Sequence, residues 1–108
     1  MRIATRGSEL ALWQAHHVQA QLVGAGVCDD VEIVIVSTSG DRDKSTPLHR
    51  IGGKGVFVKE VQAAVLDGRA DIAVHSAKDM PAISPADLVL GAGPRRGNPY
   101  DVLIGSRL

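Results

Sequence analysis

Val31-Glu32-Ile33-Val34-Ile35-Val36-Ser37 is the stretch on which the fold turns. β-Branched residues run through it, and among the first six only Glu32 is polar. A strand with one wet face alternates apolar and polar side chains, whereas a strand covered on both faces need not. The run is therefore expected to be a buried strand. Strands of that kind belong to parallel sheets sandwiched between helices.

Upstream, Arg2 to Thr5 is a second strand candidate, broken by Arg6-Gly7. Ser8 is placed to cap a helix that runs to about Val23, with Glu9 in its first turn suiting the helix dipole. Ala11, Ala15, Val18, Leu22 and Ala25 recur at steps of four and three, which is one helical stripe, and Gly24 and Gly26 end it. Downstream, Thr38 to Lys54 is a long polar stretch with several glycines, of the kind that is usually functional or mobile. Val56 to Leu66 is a second helix, with Phe57, Val61, Ala64 and Val65 on one face and Gly68 as its stop. Ile72 to His75, Leu88 to Ala92 and Val102 to Gly105 are further strand candidates. The order β-α-β-loop-α-β-turn-β predicts an α/β fold: a mostly parallel sheet with flanking helices. In such sheets ligands sit beyond the carboxyl ends of the strands. Arg6 and Ser8, the stretch from Ser37, and Ser76 to Asp79 are thus expected to converge on one crevice.

Composition narrows the function. Among 108 residues, 12 basic and 12 acidic side chains cancel, so no basic face is indicated for nucleic acid. No apolar run is long enough to span a bilayer. Aromatic residues make up only 3%, so the core must be built from small aliphatics. The lone thiol, Cys28, has no disulfide or metal partner, and no zinc spacing occurs. With no signal-peptide anatomy at the start, the cytoplasm is the expected compartment.

Three segments carry chemistry. Thr5-Arg6-Gly7-Ser8 runs from a strand end into a helix N-terminus, where free N–H groups, a hydroxyl and a guanidinium suit an anion. The plain alternative is a capped helix beside a solvated arginine. Gly52-Gly53-Lys54-Gly55 lets backbone approach a ligand and adds a mobile cation. It is not a P-loop, because Leu48 and Gly55 stand where that motif needs Gly and Ser or Thr. Its alternative is a solvated loop. In Asp71-Ile72-Ala73-Val74-His75-Ser76-Ala77-Lys78-Asp79-Met80-Pro81, a buried strand ends in polar and ionisable residues. Lys78 suits a carboxylate, and Asp79 suits a cation or a proton. The alternative here is a surface ion pair at a turn. His16 and His17 are adjacent on a helix and diverge, and His75 reads as a packed, hydrogen-bonded strand-end residue rather than a ligand.

Taken in order, these segments are distinctive. Ile3-Ala4-Thr5-Arg6-x-Ser8-x-Leu10-Ala11, Gln14, Gly40-Asp41, Gly52-Gly53-Lys54-Gly55-x-Phe57-x-Lys59-Glu60, the Asp71 to Pro81 run and Arg96-x-Asn98-Pro99-x-Asp101 closely resemble the porphobilinogen deaminase (hydroxymethylbilane synthase) family. The resemblance runs from Arg2 to about Ser106. It implies the first domain of a type 2 periplasmic-binding-protein-like fold, here incomplete, with residues 1–108 forming part of an N-terminal domain. It also implies the joining of four porphobilinogen units with loss of ammonia, on a dipyrromethane cofactor attached to a cysteine.

By that resemblance Asp79 is catalytic and stabilises a cationic pyrrole. Arg6, Ser8, Arg50, Lys54 and Lys78 hold acetate and propionate groups, and Phe57 and Ser76 line the pocket. Arg50 stands where the family often has lysine, which keeps charge but alters hydrogen-bond geometry. The family's Ser-x-x-Arg-Arg and cofactor-bearing Gly-Gly-Cys segments do not occur in these residues, and Cys28 is not expected to replace that cysteine. The remainder of the enzyme is expected as a missing segment or a separate chain, with no activity from this one alone. The competing readings are a non-catalytic anion-binding module of the same fold and an orphan fragment that only associates with a partner.

Overall fold

The computed structural model describes residues 1–42, 55 and 57–100. β1 (Arg2–Thr5) leads into α1 (Glu9–Gly24) and then β2 (Glu32–Ile35). A one-turn helix α2 (Ser39–Arg42) follows, then α3 (Lys59–Leu66), β3 (Ile72–Ala73) and a single 3-10 turn at Ala77–Asp79. The three strands form a parallel sheet of order β2-β1-β3. The chain thus steps one way from β1 to β2 and the other way from β2 to β3. Right-handed crossovers taken in opposite directions put their helices on opposite faces.

The register shows how one short strand serves both faces. Ile3 pairs with Ile33 and Ile72, whereas Ala4 pairs with Val34 and Ala73. Ile3 packs with Ala15 and Val31, backed by Val18, Leu22, Cys28, Ile33, Ile72 and Val74, beneath α1. Ala4 packs with Val36, Val61, Ala64 and Ala70, backed by Val34, Val65 and Ala73, beneath α3. Side chains alternate across a strand, so neighbouring residues of β1 anchor separate cores.

Caps set the helix ends. The Ser8 hydroxyl accepts from the Ala11 N–H at 3.3 Å, as expected of an N-cap. A Cβ on Gly7 would lie 3.3 Å from Ile35 Cγ2, so the turn into α1 passes tightly over β2. α3 stops at Gly68, whose φ of +72° lets Gly68 N–H reach Val65 and Arg69 N–H reach Ala64. Gln19 Nε2 donates to the Val31 carbonyl at 2.6 Å and pins α1 to the start of β2.

Several sequence expectations shift. α3 begins at Lys59 rather than Val56, and Phe57 lies in the turn before it. The third strand is shorter than Ile72 to His75. Leu88 to Ala92 forms no strand, and Val89 and Leu90 are 88% and 82% exposed. Their β propensity reflects packing against neighbours, and no strand among the described residues receives them. Val102 to Gly105 and most of the Thr38 to Lys54 stretch lie outside the described residues.

Candidate functional site

The carboxyl ends of the three strands meet as the strand order requires. Arg6 and Ser8 from the β1–α1 turn, with Leu10 and Ala11, face Val74, His75, Ser76, Lys78 and Asp79 beyond β3 across a cleft of about 110 Å3. The β2 end contributes from behind, through Thr38 and α2.

Arg6 is the hub. Its Nε donates to both oxygens of Asp41 at 3.2 Å, and Nη2 donates to Asp41 Oδ1 at 2.5 Å. Its Nη1 lies 3.6 Å from Asp79 Oδ2. The guanidinium carbon sits 4.1 Å from the centroid of the Phe57 ring, a cation–π contact that fixes the plane. Asp41 is held in turn by Thr38, whose hydroxyl donates at 2.7 Å and whose N–H donates at 3.3 Å. The Asp41 N–H donates back to the Thr38 hydroxyl at 3.2 Å, a reciprocal capping box that starts α2. Glu60 of α3 accepts from the Ser39 N–H at 2.7 Å and ties α2 to the scaffold. The Arg6 guanidinium, with help from Thr38, holds the Asp41 carboxyl below the usual carboxylate range against a smaller opposing effect of burial.

Ser76 donates from Oγ to Gln14 Oε1 at 2.7 Å, which links the β3 end to α1. His75 is half-buried, and among the described residues its Nε2 has no hydrogen-bond partner, contrary to the hydrogen-bonded residue expected. Burial, reinforced by Arg6 and opposed by Asp79, pushes its imidazole below the usual value. Lys78 is exposed at the cleft rim.

The structure therefore brings Arg6, Ser8, Ser76, Lys78 and Asp79 to one cleft and sets Phe57 against Arg6. Arg50 and Lys54 lie outside the described residues. Asp41 was missed as a site residue. Asp79 thus shares Arg6 with a second, closer carboxylate, that of Asp41. The signal available was Thr38-x-x-Asp41, a capping-box spacing at a strand end. Cys28 packs in the core under α1, beyond that helix's C-terminus. The cleft lies at the other end, about 24 Å away along a helix of 16 residues.

A parallel α/β module whose chain steps opposite ways from β1 belongs to the class that carries its crevice at a topological switch point, and here that crevice is lined by Arg6, Lys78 and Asp79. The chain belongs to the porphobilinogen deaminase family: residues 1–108 match the family model described as porphobilinogen deaminase, dipyromethane cofactor binding domain. It is 52% identical over 102 residues to the porphobilinogen deaminase of Nitratidesulfovibrio vulgaris (strain DSM 19637 / Miyazaki F), covering 94% of this chain and 32% of that protein. To that of Syntrophus aciditrophicus (strain SB) it is 52% identical over 104 residues, covering 96% and 34%. To that of Legionella pneumophila (strain Paris) it is 53% identical over 107 residues, covering 99% and 35%. The chain spans about a third of the length of these curated relatives.

The family domain is a dipyrromethane-binding one, and the donor set here fits such a group. Arg6 and Lys78 offer positive charge to acidic side arms, and Ser8 and Ser76 offer hydroxyls. Asp79 offers an acceptor for pyrrole N–H groups. Among the described residues no helix is long and apolar enough to cross a membrane.

Proposed function

We propose that these residues form the part of a porphobilinogen deaminase that grips acidic pyrroles and stabilises positive charge as they are joined. The reaction is the stepwise condensation of four porphobilinogen molecules to hydroxymethylbilane with release of ammonia. The observation that carries this reading is the 3.6 Å approach of Arg6 to Asp79 across the strand ends, with Lys78 at the rim of the same cleft. A plain carboxylate binder gains nothing from an anion in its pocket, whereas a reaction that develops positive charge does.

Loss of ammonia leaves the methylene of the incoming pyrrole electron-poor. Asp79 faces that charge and accepts from pyrrole N–H groups, while Arg6, Ser8 and Lys78, together with Arg50 and Lys54, hold the acetate and propionate arms. Phe57 and Ser76 border the pocket. The dipyrromethane, when bound, would anchor the growing chain and supply the pyrrole carbon to which the first unit is joined. A cleft of about 110 Å3 is smaller than the roughly 300–1,000 Å3 usual for small-molecule sites, so the described residues line one end of a larger site. We assign the fold to the first domain of a type 2 periplasmic-binding-protein-like architecture, working in the cytoplasm with the remainder of the enzyme as a further segment or a partner chain.

The test is porphobilinogen turnover by the chain alone and after it is completed with the rest of a related deaminase. The expected result is turnover only in the completed form. Asp79→Asn in that form is expected to cut the rate by about 100-fold or more with an unchanged circular dichroism spectrum. A near-normal rate in the variant removes Asp79 from its role. Turnover by the chain alone overturns the claim that it needs a partner segment, and carboxylate binding without turnover in either form favours an anion-binding module.

A further inference from the structure

Two carboxylates compete for one guanidinium at the strand ends, and the geometry shows which one prevails. Asp41 takes the Nε and Nη2 edge of Arg6 with both oxygens, whereas Asp79 stands 3.6 Å from Nη1, beyond good hydrogen-bond length. Among the described residues Asp79 accepts no side-chain hydrogen bond. Arg6 lines the cleft and Asp41 does not, so Asp41 acts on the cleft only through Arg6. Thr38, fully buried, braces Asp41 from behind, and Phe57 stops the guanidinium from tilting.

We propose that Asp41 is a positioning residue that reserves Arg6 and thereby keeps the Asp79 carboxylate free to face a cationic ligand. This rests on the reading of Asp79 given above. Charge-assisted, two-pronged pairs are the strong ones, so the Nε and Nη2 edge held by Asp41 is withheld from Asp79, and Nη1 is left for a ligand carboxylate. Without the Asp41 charge, Arg6 turns its free donors onto Asp79 and neutralises the one group the reaction needs exposed. Ligand carboxylates then still find a cation nearby, but the developing positive charge does not find an anion.

The test follows the Nε–H resonance of Arg6 in the 15N-labelled chain, identified by its loss in Arg6→Lys. Asp41→Asn is expected to shift the resonance yet keep it protected from exchange, because Asp79 becomes the acceptor. Asp41→Asn combined with Asp79→Asn is expected to lose that protection. Equal loss in the single and double variants overturns the proposal. Should Asp41→Asn fail to fold, Asp79→Asn alone decides: the resonance stays as in the wild type, and a loss of protection there sinks the idea. In the completed enzyme, Asp41→Asn is expected to lower kcat for porphobilinogen by about tenfold or more while KM moves less, with Asp41→Glu restoring most of the rate. A rate within about twofold of wild type counts against it. If no completed form turns over porphobilinogen, the functional reading falls, and the resonance experiment still decides how Arg6 is shared.

Discussion

Arg6 makes three kinds of contact at once: a two-pronged pair with Asp41, a longer approach to Asp79 and a ring contact with Phe57. Replacing it by lysine keeps the charge but not the fork or the flat face. Two titrations near it have different signatures. The Asp41 carboxyl is lowered from its ordinary value of 3.8 by Arg6, so the stability it contributes is present above that value and is lost as pH falls through the lowered one. His75 is lowered from 6.5 by burial. The unfolded chain therefore binds that proton first on acidification, and stability falls as pH drops from about 6.5 toward the lowered value. Urea midpoints measured between pH 7 and 5 are expected to decline in the wild type and to flatten in His75→Gln. An equal slope in both would remove His75 as the cause. None of this was legible in the chain: His75 looked like an ordinary packed residue, and Asp41 meets Arg6 only because folding closes a separation of 35 residues.

At the scale of elements, the helix ends make opposite predictions for two glycines. Gly68 has a φ of +72°, and Gly68→Ala is expected to destabilise by about 1 kcal/mol, read from thermal or urea unfolding. Gly24 ends α1 without a left-handed backbone and has nothing within 4 Å of an added Cβ, so Gly24→Ala is expected to be neutral or to stabilise by about 0.5 kcal/mol. β1 and α1 were readable because their signals are local: a short apolar run, a capping serine and a stripe at helical steps. α2 was not, since Ser39-Gly40-Asp41-Arg42 has no apolar period and a glycine inside. What makes it a helix is the reciprocal bonding of Thr38 and Asp41, together with the tether from Glu60. Leu88 to Ala92 erred the other way, because a strand-prone run is a strand only when another strand supplies its ladder.

For the whole molecule, the parallel sheet with a helix on each face was legible in the helix-strand alternation, but the buried strand expected at Val31 to Ser37 was not found. β2 spans only Glu32–Ile35 at the edge of the described sheet, Ile35 is 61% exposed, and only the flanking Val31 and Val36 are buried. Position along the sheet did not follow. Nothing local says that β1 is central, yet that placement assembles the crevice from three distant segments. Ile83, Val89 and Leu90 are left 82–88% exposed. Apolar side chains in that state promote association. Leu90→Lys is accordingly expected to lower concentration-dependent light scattering without moving the unfolding midpoint. A fall in the midpoint would mean that Leu90 is packed after all.

The alternation of Ile3 and Ala4 has a consequence for how the chain finds its shape. A slip of β1 by one position would thrust isoleucine into the space cut for alanine against Val61 and Ala64, and leave a void beside Ala15. Both cores would fail together, so no half-correct alignment is worth keeping. Four residues thereby act as a proofreading device for the sheet, and the same alignment that passes the check is the one that delivers Arg6 to its partners.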